Sequence, residues 1–157
     1  MPYIMIALLL SLVLLSVRIK QLALYFNKDI ISMLPIVSLR KAIIEIYSYI
    51  FSAVWQELFY KAVVIIMLSS FMNNYLSVVI SALLFTTEHY LHRYSASQNQ
   101  NIDYFFQFIL SATSGYLYLE SGSLIIPIAA HLFYNLPISL TFAYRYYIMK
   151  ARRQVYD

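Results

Sequence analysis

The sequence predicts an all-α protein, a polytopic bundle of about five transmembrane helices with a polar intramembrane cavity. Three observations predict it. The 157 residues are 62% hydrophobic and only 11% charged, with a mean hydropathy of +0.69, whereas a soluble domain carries about 25% charged residues. Five apolar stretches, about 3–17, 42–72, 75–92, 104–119 and 124–148, reach or approach the roughly 20 residues a helix needs to cross the hydrocarbon core. Ionisable and amide side chains recur inside those stretches, where charge is costly and therefore marks function by default.

The first stretch resembles a signal peptide in length. Its basic residues, Arg18 and Lys20, follow the apolar run instead of preceding it, and no small-x-small cleavage site is evident, so a retained first span is expected. An amphipathic continuation runs to Phe26. Residues 27–41 hold a short apolar run, Ile30 to Leu39, interrupted by Pro35, which reads as an interfacial or re-entrant segment. The second stretch is long enough to tilt or protrude. Asn73-Asn74 breaks it from the third, a polar loop from Arg93 to Asp103 joins the third to the fourth, and Glu120-Ser-Gly-Ser123 separates the fourth from the fifth. Residues 1–157 are expected to form a single integral membrane domain, without repeats or low-complexity linkers.

Charge orients the bundle. Lys and Arg accumulate on the cytoplasmic side of membrane proteins. Arg18, Lys20, Lys28, Arg40 and Lys41 follow span one, Arg93 follows span three, and Arg145, Lys150, Arg152 and Arg153 end span five. Five spans with the N-terminus outside and the C-terminus cytoplasmic place ten of the eleven basic residues on one side; the eleventh, Lys61, lies within span two. This pattern accounts for the net charge of +4 without a nucleic-acid partner; the bilayer is the partner the composition calls for. Cysteine is absent, which excludes disulfides and thiolate metal sites. Abundant Tyr, Phe, Ile, Asn and Lys, with only two glycines, point to an AT-rich, bacterial coding sequence.

Three polar clusters occupy three different spans: Gln56-Glu57-x-x-x-Lys61, Phe85-x-x-x-His89 and His131-x-x-x-Asn135. Glu57 and Lys61, four apart with the acid first, share a helix face and neutralise one another. His131 and Asn135 share a face by the same spacing. A rise of 1.5 Å per residue puts Glu57 about 22 Å and His89 about 21 Å from the outer ends of their spans, with Asn135 at about 16 Å and His131 at about 10 Å. Asn135 thus matches Glu57 in depth better than His131 does, unless span five starts deeper, which Pro127 near its beginning allows. A single intramembrane histidine is ordinarily a helix-to-helix hydrogen-bond partner. Two of them beside a carboxylate and an amide suit water activation or a metal: His89, His131 and a carboxylate are a reasonable Zn²⁺ donor set, and metal-free water activation is an equal alternative. Glu88 and His92 flank His89 at the helix end beside Arg93 and read as interfacial. A small proton carrier would also use buried Glu and His.

These clusters, in this order and spacing, resemble the motifs of the CAAX protease and bacteriocin-processing (Abi-type) family of membrane proteases. Its pattern is Glu-Glu-x-x-x-Arg, Phe-x-x-x-His and His-x-x-x-Asn or Asp, each on its own helix. The flanks resemble it too: Ile80-Ser-Ala-Leu-Leu-Phe85, Ser114-Gly-Tyr-Leu-Tyr118 and Ser123-Leu-Ile-Ile-Pro-Ile-Ala-Ala-His131. The likeness covers about residues 50–140. It implies an intramembrane endopeptidase acting on leader, bacteriocin or signalling peptides, or on CAAX-like C-termini, through an activated water. By position, Gln56 and His89 would take the water-activating roles, His131 and Asn135 would stabilise the oxyanion, and Glu57 with Lys61 would hold the site beside Phe85. The family has been described both as metal-dependent and as glutamate-dependent. Lys61 replaces the motif Arg and keeps its charge without the bidentate fork. Gln56 replaces the first Glu, and an amide neither accepts a proton at neutral pH nor serves as an anionic ligand. The resemblance therefore leaves two readings: a protease arrested or altered at residue 56, or a non-catalytic membrane immunity or regulatory protein that binds peptides in the same cavity.

Overall fold

The structure, a computed structural model, describes residues 2–92 and 101–156. Among these the chain is helical throughout, with no strand: α1 (Pro2–Val17), α2 (Ile19–Tyr25), α3 (Lys28–Met33), α4 (Leu39–Glu57), a π segment (Leu58–Ile65), α5 (Ile66–Ser69), α6 (Asn74–His92), α7 (Asn101–Ser121) and α8 (Ile125–Tyr156). The expected all-α bundle is what the chain forms.

The starts and stops follow local chemistry. Asn27 Oδ1 accepts from the backbone N–H of Asp29 (2.8 Å) and Ile30 (3.3 Å), capping α3. Ser38 Oγ caps α4 by accepting from Lys41 N–H (3.2 Å), and Asn73 Oδ1 caps α6 by accepting from Leu76 N–H (2.8 Å). Gly122, at φ 67°, ends α7 in the left-handed conformation that glycine adopts without a Cβ penalty. Residues 28–33 form one short helix and residues 34–38 a non-helical linker, and Leu39 to Lys41 already belong to α4.

Two continuous helical stretches are long and apolar enough to cross a membrane, Leu39–Ser69 (31 residues) and Ile125–Ala151 (27 residues). A third qualifies if α1 and α2 are taken together, although they bend by 75° at Arg18. The helices α6 and α7 coincide with the third and fourth expected spans but are enriched in Ser, Thr and ionisable side chains, and lie outside that set.

Packing is organised around α8, which runs against α1, α4 and α7, while α6 packs along α7 and the π segment. Ala7, Leu14, Phe106, Leu110, Leu117, Ile126, Ala130 and Tyr134 form one apolar core between α1, α7 and α8. Ser11 Oγ, fully buried there, lies 3.0 Å from both Ala7 O and Ala130 O, a small-residue contact that draws α1 onto α8. On the outer faces, large apolar side chains such as Phe51, Trp55, Phe71 and Leu83 are exposed, as a lipid-facing surface requires.

Arg18 is placed differently from its expected role as a charge beside span one. Its Nη2 lies 3.2 Å from Asp103 Oδ1, with the two side chains 10% and 2% exposed, and its Nη1 donates to the Tyr134 hydroxyl at 3.2 Å. Asp103, expected to close a polar loop, is instead buried in the first turn of α7. A carboxylate there faces the positive end of the helix dipole and a guanidinium, which outweighs its preference for water. Asn101 and Ile102 of that expected loop also lie in α7, and residues 93–100 fall outside the described residues.

Candidate active site

The first cluster sits where α4 changes into the π segment. Gln56 and Glu57 close α4 and Lys61 lies within the widened turns, all three buried. Wider i→i−5 turns are rare and recur at functional positions of helices. One carbonyl in this stretch, Tyr60 O, receives a bond from outside, from Ser81 Oγ on α6 at 2.8 Å.

Glu57, 1% exposed, meets His131: Oε1 lies 2.8 Å from His131 Nδ1. Its other oxygen, Oε2, stands 3.7 Å from Lys61 Nζ, an ion contact longer than a hydrogen bond. The expected Glu57–Lys61 pair therefore forms, but the hydrogen bonds of its members go elsewhere. Lys61 Nζ donates to Ser111 Oγ (2.7 Å) and Ser111 O (3.0 Å) on α7. Ser114 Oγ donates to the same carbonyl at 3.2 Å. The ammonium, wholly buried, is satisfied by one serine and one carboxylate.

Phe85 is the surface on which these groups rest. Lys61 Nζ lies 5.7 Å from its ring centroid. The rings of Tyr60 (5.4 Å), His89 (4.5 Å) and His131 (5.6 Å) stand edge-on to it. Phe85 is 1% exposed and thus excludes water from the ion contact. His89 and Asn135 are half-buried, at the accessible margin of the cluster.

Two features bear on the depth and role expected from sequence. His131, not Asn135, is the residue of α8 level with Glu57. The 2.8 Å contact fits the deeper start of the last span that Pro127 allows. Gln56 donates from Nε2 to Glu88 Oε1 at 3.1 Å, so Glu88 is not merely an interfacial charge. The pair of His89 with His92 lies outside what is described, since the His92 side chain is not among the described groups.

Ser111 and Glu88 are the participants that sequence reasoning misses. Ser111, Ser114 and Gly115 line one face of α7 at i, i+3, i+4 spacing, a small-residue stripe that could have flagged it. A Cβ on Gly115 would stand 3.1 Å from Val78 Cγ1 and 3.2 Å from Ile65 Cδ1, which shows how closely α7 approaches α6 and the π segment. For Glu88 the available signal was an acid adjoining a motif histidine.

With the three clusters in contact through Glu57–His131 and Phe85, comparison with known families is decisive. The model of the family described as type II CAAX prenyl endopeptidase Rce1-like matches residues 38–137, from the cap of α4 into α8. The chain belongs to this family. No curated protein and no solved structure matches it. The Rce1-like family is one of membrane endopeptidases, and this Rce1-like chain, with its apolar helices, is an integral membrane protein.

A metal would need three or more converging donors. Among the described residues no group of three His, Asp or Glu side chains is arranged to hold one, and His131 Nδ1 is taken by Glu57.

Proposed function

We propose that this Rce1-like chain is an intramembrane endopeptidase that hydrolyses peptide bonds in leader, bacteriocin or signalling peptides, or in CAAX-like C-termini, using an activated water. The observation that carries the reading is the 2.8 Å contact between Glu57 and His131, which joins the first and third clusters at the ring of Phe85 from the second. Glu57, balanced by Lys61, orients His131 through Nδ1 and leaves Nε2 for the reacting groups. Asn135, one turn further along α8 and half-buried, supplies an amide donor for the oxyanion. His89 shares the accessible margin with the attacking water. The positive-inside pattern sets the N-terminus outside and the C-terminus in a bacterial cytoplasm.

The test is peptide cleavage in membranes by the unaltered chain and by a variant that carries the motif carboxylate. Gln56→Glu, co-expressed in membranes with a panel of candidate peptides, is expected to give cleavage that His89→Ala and His131→Ala each abolish. Cleavage that survives a chelator establishes metal-free hydrolysis. A specific observation favours a second reading: an amide, not a carboxylate, occupies position 56. If no Gln56→Glu cleavage occurs across the panel while peptides bind, the chain is a non-catalytic immunity or regulatory protein.

A further inference from the structure

Hydrolysis needs a carboxylate or imidazole that water can reach and that is free to take a proton. Among the described residues, Glu57 meets neither condition. It is 1% exposed, one oxygen is engaged by His131 at 2.8 Å and the other faces the Lys61 ammonium. Asp103 is buried against Arg18 in a different part of the bundle. Asp29, Glu45 and Glu120 lie in the first turn of α3, early in α4 and at the end of α7, away from the histidines. Glu88 alone adjoins the site, and it is half-buried rather than sealed.

Glu88 is also held in place. It accepts from Gln56 Nε2 at 3.1 Å and lies close enough to the Tyr60 hydroxyl to interact with it electrostatically. Gln56 and Tyr60 are both buried, and Tyr60 packs edge-on against Phe85, which in turn contacts His89 and His131. The carboxylate is thus tied to the same aromatic platform as both histidines. Glutamine and glutamate are nearly isosteric, so Gln56 Nε2 marks where a glutamate at 56 would place an oxygen. The carboxylate of Glu88 lies one hydrogen bond from that point. At that separation one water can lie within hydrogen-bond distance of both positions.

We infer that Glu88 is the general base of this chain, its carboxylate standing across a hydrogen bond from the amide of Gln56. The inference rests on the endopeptidase reading above. A water gives a proton to Glu88 while its oxygen bonds to the peptide carbonyl carbon and the C=O π electrons move onto oxygen. Collapse of that intermediate re-forms the C=O bond and breaks the C–N bond. The proton on Glu88 passes to the departing amine nitrogen, which restores the carboxylate. Gln56 is then a positioning residue that fixes Glu88 without competing for the proton.

The full chain in proteoliposomes, assayed with fluorescence-quenched peptides that include a farnesylated CAAX peptide and unmodified leader peptides, decides this. The unaltered chain is expected to cleave. Glu88→Gln, which preserves shape and the bond from Gln56, is expected to lower kcat/KM by about 100-fold or more. Glu88→Asp keeps the charge on a shorter arm and is expected to retain partial activity. In the double variant Gln56→Glu/Glu88→Gln the carboxylate and amide exchange places, and recovery to within about 10-fold of the unaltered chain is expected. A structural role would not produce that recovery. Equal activity of Glu88→Gln and the unaltered chain overturns the inference, as does an inactive unaltered chain alongside an active Gln56→Glu variant; both leave the endopeptidase reading standing. Absence of cleavage by every variant overturns both together. Should Glu88→Gln fail to elute as a folded species, the Glu88→Asp and exchanged variants decide: full activity in the first with none in the second overturns the inference.

Discussion

Lys61–Glu57–His131 and Arg18–Asp103–Tyr134 are built from the same ingredients, a cation, a carboxylate and a ring-bearing partner on α8, yet they do different things. In the second, the guanidinium approaches Asp103 at 3.2 Å while donating to Tyr134 and Gln21, so α1 and α2, α7 and α8 are held at one point. In the first, Lys61 gives its hydrogen bonds to Ser111 and stands 3.7 Å from Glu57, whose Oε2 accepts none among the described residues. A lock pairs its charges closely. The first cluster separates them slightly, so that the carboxylate is neutralised but its direction is set by His131. The first has a carboxylate and an imidazole at its half-buried margin, Glu88 and His89 with Asn135, where the second has the amide of Gln21. The contrast teaches that burial of charge alone does not identify a site; the accessible margin does.

The sharpest way to break the contrast is Lys61→Met. Removing one partner of a buried pair leaves Glu57 uncompensated, and a loss of about 3–5 kcal/mol is expected in denaturant titration of the detergent-solubilised protein, together with loss of cleavage. Arg18→Met is expected to cost somewhat less, about 2–3 kcal/mol, because its side chain retains some contact with solvent. Arg18→Met/Asp103→Leu should regain most of that, since an apolar replacement of both members leaves no buried charge. Cleavage per folded molecule should stay within about twofold of the unaltered chain in both; a drop in kcat would place this cluster in the catalytic apparatus and dissolve the distinction.

His131→Gln is expected to cost about 1.5 kcal/mol through its bond to a charged partner, measured by the same titration. Its activity should fall by about 100-fold. The smallest effect belongs to Ser111→Ala. About 1 kcal/mol is expected from the lost hydroxyl bond to Lys61, with only a few-fold change in rate, because Ser111 O still accepts from the ammonium. A rate loss as large as that of His131→Gln would mean that the Lys61 position, not only its charge, governs the site.

Much of the fold was legible because its signals are local. Asn27, Ser38, Asn73 and Gly122 are punctuation that acts within three or four residues, and the helix boundaries fall beside them. The apolar runs and the three clusters were equally visible. The π segment was not, since Leu-Phe-Tyr-Lys-Ala-Val-Val-Ile suits an α-helix as readily, and its widened turns depend on contacts such as that of Ser81 with Tyr60 O. Nor was the fate of Arg18 and Asp103 legible, because each reads as a solvated charge until residues 85 positions apart are brought together. The level of His131 stayed open in the sequence for a related reason: rise per residue gives depth along one helix, while the stagger between helices is set by packing.

The π segment has one more consequence, for comparing this chain with its relatives. A turn closed by i→i−5 bonding holds one residue more than an α turn, so it shifts the phase of everything that follows by about 100°. A relative whose corresponding helix is regular would superpose on this one on either side of residues 58–65 but not through them. The spacing of Glu57 and Lys61 in the sequence is unaffected; what changes is where the side chains beyond them emerge. The face on which residues beyond Ile65 emerge therefore tells a widened helix from a regular one.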